Sequence, residues 1–358
     1  MKSRKIKLII FLGVLALCNP VSGIAIGSDI LPVLTNYRIP LDKKGAVVGK
    51  LIIPSELEGE QLVLQKDTSG LFQLDRHGNL SLKKSIRMKA SEQSFCYGVT
   101  IGVGSLSVDF NLVKDEFIQS PVIAHRGAWK NHPGSENSVS ALKSAINIGA
   151  CGSEFDVWWS EDQVPVVCHD PVIGGKNVEK TSAKELQTVK LEENESVPTL
   201  EQYLQTAMQQ NRTHLVLEIK SSQVSQERTI ELTEAVVRMV HRMKAQAWVE
   251  YISFNYETLL KIRQLDPVAR IAYLSDDKSL QTLVDDKIPG IDYSFYSYQK
   301  DPELIEKAHK LGLTVNVWTV NDKSELEFYV QKGVDYITTN EPEALIKIIN
   351  DNKQKSDD

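Results

Sequence analysis

Between about residues 118 and 349, eight short apolar segments alternate with amphipathic ones. The strand candidates are 122–126, 154–158, 215–220, 251–255, 270–274, 291–295, 314–319 and 334–338. Most intervals carry a helical pattern, as in 302–311 and 324–332. Apolar strands separated by amphipathic helices build a parallel sheet covered on both faces. Eight such units in about 230 residues close naturally into a (β/α)8 TIM barrel, so the expected class over 118–350 is α/β.

A further extended piece, 165–169, does not fit as a ninth parallel strand. The link 160–164 is too short for a crossover helix, because parallel neighbours need a dozen or more connecting residues. It is expected to return as a hairpin beside the second strand, bringing His169 to the rim where Glu154 and Asp156 sit.

The texture before residue 118 is different. Phe95, Tyr97, Val99, Ile101 and Val103 share one strand face, and after Gly104-Ser105 so do Leu106, Val108, Phe110 and Leu112. Phe72 and Leu74 alternate, Arg76-His77-Gly78-Asn79 turns, and Leu80 and Leu82 alternate again. Period two broken by turns predicts antiparallel strands with one face on a core, a small β-sandwich over 24–117. The stretch 70–80, with Tyr97-Gly98-Val99-Thr100, resembles cadherin-like modules. Their acidic calcium motifs are not evident here, so the resemblance implies fold only.

The chain opens on Lys2, Arg4, Lys5 and Lys7 before an apolar run from Leu8 to Leu17. That pattern predicts a secretory signal over 1–23, too short to span a bilayer. Val21-Ser22-Gly23 offers a small-residue cleavage site. Cys18 follows Leu15-Ala16-Leu17, which resembles a lipoprotein box with a bulky residue before the cysteine. The expected location is periplasmic or secreted, with lipid anchoring through Cys18 as the alternative. No integral membrane segment is expected after the signal. Without Cys18, Cys96, Cys151 and Cys168 remain. They show no metal-type spacing and read as small buried hydrophobes rather than a disulfide framework.

Lys and Arg number 41 against 47 Asp and Glu, a net charge of −6, which argues against a broadly basic nucleic-acid surface. A local basic pocket for one phosphate is compatible with it, and nothing in the pattern specifies an oligomeric state.

Catalytic groups of such a barrel lie at the C-terminal strand ends. In order these ends read His125-Arg126-Gly127, Glu154-Phe155-Asp156, His169-Asp170 on the hairpin, and Glu218-Ile219-Lys220. Polar groups in apolar strands are costly unless paired or ion-bound. With period two, Glu154 and Asp156 point the same way, as do Glu218 and Lys220. If that way is inward, three carboxylates converge and repel without a cation. Hard oxygen ligands suit Ca²⁺ or Mg²⁺ better than zinc. Arg126 and Lys220 supply phosphate-binding charge, and His125 and His169 can exchange protons near neutrality. Phosphoester cleavage needs one group to take a proton and one to give it.

The run Val122-Ile123-Ala124-His125-Arg126-Gly127, then Glu136-Asn137, Glu154-x-Asp156, Val166-Val167-Cys168-His169-Asp170 and Glu218-x-Lys220 resembles the glycerophosphodiester phosphodiesterase family. Pro198-Thr199-Leu200, Ser253-Phe254, Val317-Trp318-Thr319-Val320-Asn321 and Ile337-Thr338-Thr339-Asn340-Glu341-Pro342 follow in family order, so the resemblance spans about 119–349. It implies a metal-dependent hydrolase releasing an alcohol and sn-glycerol 3-phosphate from a small glycerophosphodiester. It implies Glu154, Asp156 and Glu218 as ligands of one divalent cation, Ca²⁺ or Mg²⁺. His125 would be the base and His169 the acid, with Arg126 and Lys220 on the phosphate. Glu136 and Asn137 would organise the site, and Phe254 and Trp318 would line the substrate pocket. The family reaction runs through attack of a vicinal glycerol hydroxyl on phosphorus and a cyclic phosphate.

Two departures stand out. Ser138 follows Glu136-Asn137 where the family has Thr, and the hairpin turns through Trp159-Ser160-Glu161-Asp162-Gln163 without the usual glycine. About forty-five residues between His169 and Glu218 leave little for a cap, so an open mouth is expected. The alternatives are a lysophospholipase D or phosphoinositide-type phospholipase on the same barrel, and a non-catalytic surface-binding protein. His132 is placed near the mouth; His77, His214, His241 and His309 read as solvated or packed. One of Trp158 and Trp159 is expected to pack and the other to line the rim. Acidic 192–195 reads as a solvated loop and 351–358 as a polar tail.

Overall fold

The computed structural model describes residues 32–90 and 94–357. The signal reading and Cys18 lie outside the described residues.

Strands β1 (Val33–Leu34), β2 (Arg38–Ile39), β3 (Val47–Ile52), β4 (Leu62–Asp67), β5 (Phe72–Leu74), β6 (Asn79–Leu82), β7 (Cys96–Val103) and β8 (Leu106–Lys114) come first. They form two four-stranded sheets, ordered β1-β3-β6-β5 and β2-β8-β7-β4. All pairings are antiparallel except β2 with β8, which is parallel and departs from the expected all-antiparallel pattern. Alternation does the work: Val99, Ile101, Val103, Phe110 and Leu112 are buried, while Gly98, Ser107 and Asp109 are exposed. Phe72 of one sheet meets Tyr97 of the other edge-on at 6.1 Å. Each buried large apolar side chain contributes about 1.5–3 kcal/mol. The β5–β6 turn is held by Asp75 Oδ1, which accepts from the amides of His77 (2.8 Å) and Asn79 (2.9 Å).

The chain then runs β9 (Val122–Ala124), α1 (Val139–Ile148), β10 (Gly152–Trp159), β11 (Pro165–Val167), β12 (Val172–Ile173), β13 (Lys176–Asn177), α2 (Ala183–Leu186), α3 (Leu200–Ala207), β14 (His214–Ile219) and α4 (Gln226–Met243). It continues through β15 (Val249–Ser253), α5 (Tyr256–Leu265), β16 (Ile271–Tyr273), α6 (Leu280–Asp285), β17 (Gly290–Ser294), α7 (Phe295–Lys300), α8 (Leu304–Lys310), β18 (Thr314–Trp318), α9 (Lys323–Lys332), β19 (Tyr336–Thr339) and α10 (Pro342–Asp357). Parallel strands β9, β10 and β14 to β19 form the ring, closed by Ile337 against Val122 and Ile123 against Gly152. Every residue of β10 and β14 is buried.

Strand β11 returns antiparallel along β10, with Val157 opposite Val167 and Trp159 opposite Pro165. The first strand stops at Ala124, two residues short of expectation, because Arg126 adopts φ +58° and turns the chain. Gly127 follows at φ +83°, where an added Cβ would lie 2.7 Å from the Ala141 backbone. Residues 351–357 are not a separate tail. They extend α10, whose first turns pack Leu345 and Ile348 into the core.

The sandwich covers the N-terminal ends of the barrel strands. Asn211, just before β14, donates to the Lys114 carbonyl (3.0 Å) and to Glu116 (2.8 Å). Lys244, ahead of β15, pairs with Asp109 at 3.1 Å. The opposite, C-terminal rim is left for the site.

Candidate active site

His125 follows β9 directly. Its Nδ1 lies 2.7 Å from Asn340 Oδ1, just past β19. With the amide oxygen accepting, Nδ1 carries the proton and Nε2 is left toward Glu154 Oε2, 3.9 Å away. Burial, then the Arg126 charge, lowers the His125 pKa to about 4. Asn340 is itself held by Asn321, whose Oδ1 accepts from the Asn340 amide at 2.9 Å.

The turn at Arg126 has a consequence. Its backbone N–H donates to Glu154 Oε2 at 2.9 Å, while its Nη1 reaches both oxygens of Glu136 at 2.9 and 3.0 Å. Asn137, also at positive φ, donates through Nδ2 to Asp156 Oδ2 (2.8 Å) and accepts from the Asp156 amide (3.1 Å). Ser138 then caps α1 by accepting from the Ala141 amide at 3.0 Å, a role threonine fills equally.

Glu154, Asp156 and Glu218 project inward from β10 and β14. All three are buried, and one ligand oxygen from each lies within 4.8 Å of the others. Lys220 Nζ lies 2.8 Å from both Asp156 Oδ1 and Glu218 Oε1. Burial, then Asp156 and Glu218, raises the Glu154 pKa well above its ordinary value. Burial and the Asp156 charge push Glu218 up to about 7. Burial opposes ionisation of Asp156 too, but Lys220 overrules it and holds that carboxyl low. Crowding of three carboxyls around one ammonium holds Glu154 and Glu218 toward their protonated forms, and a divalent cation would let all three ionise.

The hairpin delivers His169. The Cys168 amide donates to the Asp156 carbonyl at 3.1 Å, and Trp158 Nε1 donates to the His169 carbonyl at 2.8 Å. Asp170 Oδ1 accepts from His169 Nδ1 at 2.7 Å.

These groups line one pocket of about 240 Å³. One wall is polar: His125, Arg126, the three carboxylates, His169 and Lys220. The other holds Ile252, Phe254, Leu274 and Trp318, with Phe254 and Trp318 edge-on at 5.6 Å. Asp292 also reaches the pocket. Its carboxyl is buried, with Oδ1 lacking a partner, and burial raises its pKa far above the ordinary range.

Glu136 and Asn137 are not on the wall; they act on Arg126 and Asp156 from behind. His132 faces Glu343 at 2.6 Å rather than the pocket. Trp158 and Trp159 are both buried, so neither lines the rim as a free ring. Glu195 is not simply solvated, since it accepts from the Ser140 amide (3.2 Å) and hydroxyl (2.7 Å) at the start of α1. His214 is packed inside β14 rather than before it. Cys151 and Cys168 are buried, Cys96 is half-buried, and all three are free. Asn340, Asp292 and Trp158 carry contacts that sequence reading had not assigned. Asn340 lies in the segment 337–342, but nothing in one dimension pairs it with His125.

The model of the glycerophosphoryl diester phosphodiesterase family matches residues 125–344. A glycerophosphodiester phosphodiesterase of Caldanaerobacter subterraneus subsp. tengcongensis is 30% identical over 246 residues, 64% of this chain and 97% of that protein. A crystal structure of a glycerophosphodiester phosphodiesterase from Parabacteroides distasonis superposes with TM-score 0.64 at 38% identity, covering 66% of this chain and 99% of that one. An Oleispira antarctica phosphodiesterase, solved with the product sn-glycerol-3-phosphate, shares the fold with TM-score 0.57 at 23% identity over 65% of this chain and 97% of that one.

Proposed function

The chain belongs to the glycerophosphoryl diester phosphodiesterase family and is a phosphoric diester hydrolase of that kind; from that premise we propose a metal-dependent cleavage of glycerophosphodiesters to an alcohol and sn-glycerol 3-phosphate. The carrying observation is the buried Glu154, Asp156 and Glu218 triad opening on the same pocket as His125 and His169. The donor set fits one hard divalent cation, Ca²⁺ or Mg²⁺. Such an ion, when bound, supplies Lewis-acid stabilisation of charge on the phosphoryl oxygens.

The protein's own groups do the rest. Arg126 and Lys220 hold the phosphate. His125 Nε2 takes the proton from the glycerol 2-hydroxyl, whose oxygen bonds to phosphorus. His169 gives a proton to the alcohol oxygen as its P–O bond breaks. Water then opens the cyclic phosphate, with the proton movements reversed. Phe254 and Trp318 pack against the carbon skeleton. Export, read from the basic start and the apolar run 8–17, makes this a scavenger of phospholipid head groups outside the cytoplasm. Among the described residues no helix is long and apolar enough to cross a membrane.

The test is enzymatic release of sn-glycerol 3-phosphate from glycerophosphocholine, glycerophosphoethanolamine and glycerophosphoinositol, with EDTA, Ca²⁺ or Mg²⁺. A second reading, lysophospholipase D, is favoured by one observation: Ile252, Phe254, Leu274 and Trp318 make one wall of the pocket apolar, and Phe254 is 44% exposed. Lysolipid turnover exceeding that of every deacylated diester would select it.

A further inference from the structure

The face opposite the active site holds a second cavity, of about 380 Å³, between the sandwich and the barrel. Tyr37 and Arg38 enter it from the sandwich, and Ala247, Arg270 and Tyr336 from the N-terminal ends of barrel strands. Arg38 is anchored from three sides. Its Nε donates to the Ala247 carbonyl at 2.9 Å, its Cζ lies 3.6 Å from the centre of the Phe117 ring, and Nη1 is 4.0 Å from Asp115. The remaining nitrogen, Nη2, is buried without a hydrogen-bond partner. Arg270 lines the same cavity; its backbone carbonyl accepts from the Tyr251 amide at 2.9 Å, and among the described residues its guanidinium forms no hydrogen bond or ion pair.

Two guanidiniums share this space, and the nearby carboxylates do not pair them off. Asp115 is 41% exposed and at the limit of ion-pair distance. Asp266 is taken by His241 at 3.0 Å and by the Val268 amide at 3.0 Å. Glu250 lies within the field of both arginines, and no ion pair joins it to either among the described residues. A buried guanidinium nitrogen with no acceptor is costly. Burial, then the like charge of Arg270, lowers the Arg38 pKa to about 9.

We propose that this cavity binds a small oxyanion, a phosphate or carboxylate group held by Arg38 and Arg270. Guanidinium forks match the paired oxygens of such groups. The apolar walls from Leu34, Val249 and Val268 leave room for a short carbon chain. Because the two arginines come from different folding units, the anion would tie the sandwich to the barrel, far from the catalytic pocket.

The experiment is calorimetric titration and thermal melting of the mature protein with inorganic phosphate and, separately, acetate. Phosphate can also enter the catalytic pocket through Arg126 and Lys220, so the comparison is made in an Arg126→Gln background. The proposal expects Arg126→Gln to bind one of the two anions and to melt higher in its presence. Adding Arg270→Gln should weaken that binding at least tenfold and abolish the melting shift. Phosphate binding alone or acetate binding alone would each support the site and say which group it takes. Arg270→Gln by itself should keep full diesterase activity, which reports an intact fold. Anion binding unchanged by Arg270→Gln, or no binding of either anion once Arg126 is removed, would overturn the proposal.

Discussion

Asn340 Oδ1 accepts a hydrogen bond from His125 Nδ1 at 2.7 Å, so a residue after the last barrel strand sets the tautomer of a residue after the first. Ring closure through β19 and β9 makes this possible. In Asn340→Ala the ring loses its orienting acceptor, and kcat is expected to fall by about 10- to 100-fold, a part of what a general base supplies. Asn340→Asp places a carboxylate beside the imidazole and raises its pKa from about 4. His125 acts as a base only when neutral, so the acid limb of the kcat/KM profile should move to higher pH. A pH–rate profile unchanged in both variants would remove His125 from that role.

The carboxylate triad makes the metal-free protein sensitive to pH in a defined direction. Glu218 titrates near 7 in the folded chain against an ordinary value of 4.5. The folded state therefore holds this proton more tightly. Its stabilising contribution is full below about pH 4.5 and is lost as pH rises through 7. In EDTA, wild type should lose melting temperature relative to Glu218→Gln between pH 5 and 8. With Ca²⁺ or Mg²⁺, wild type should regain melting temperature at pH 8, while Glu218→Gln, short of one ligand, should gain less from the metal. Melting curves of the pair, with and without metal, check both signs.

Trp158 Nε1 holds the His169 carbonyl at 2.8 Å. Trp158→Phe leaves that acceptor without its donor, at a cost of about 1–3 kcal/mol. The loss falls on the hairpin that positions His169, so kcat is expected to drop more than the global stability explains. Measuring kcat well below the melting transition separates the two.

Gly127 sits at φ +83°, and a Cβ there would meet the Ala141 backbone at 2.7 Å. Gly127→Ala should cost about 2–4 kcal/mol. It should also displace the neighbouring Arg126 amide from Glu154. The expected readout is a melting temperature lower by several degrees together with weaker metal-dependent stabilisation.

Much of this architecture was legible in one dimension, for physical reasons. Eight apolar runs marked the barrel because its strands are buried on both faces. The short link 160–164 forced β11 into a hairpin, which the pairing of Val157 with Val167 displays. Period-two spacing put Glu154 and Asp156 on one face, and they do converge with Glu218. Strand ends were less legible. Arg126 looks like strand continuation until its left-handed turn is seen, and the close approach of Gly127 to the Ala141 backbone of α1 that follows it is a tertiary contact with no local signature. Residue pairs brought together by closure, such as Asn340 with His125 or Glu195 with Ser140, leave no local signature. The polar end of α10 resembles a tail because helix propagation there needs no apolar face.

The central claim is that the triad and the two histidines form one metal-dependent diesterase centre. The most direct measurement is sn-glycerol 3-phosphate release from glycerophosphodiesters by the purified protein, with His125→Ala and Glu154→Gln alongside. The account predicts release that EDTA abolishes, that Ca²⁺ or Mg²⁺ restores, and that falls at least about 100-fold in either variant. Release that survives EDTA, or that persists in both variants, would contradict it.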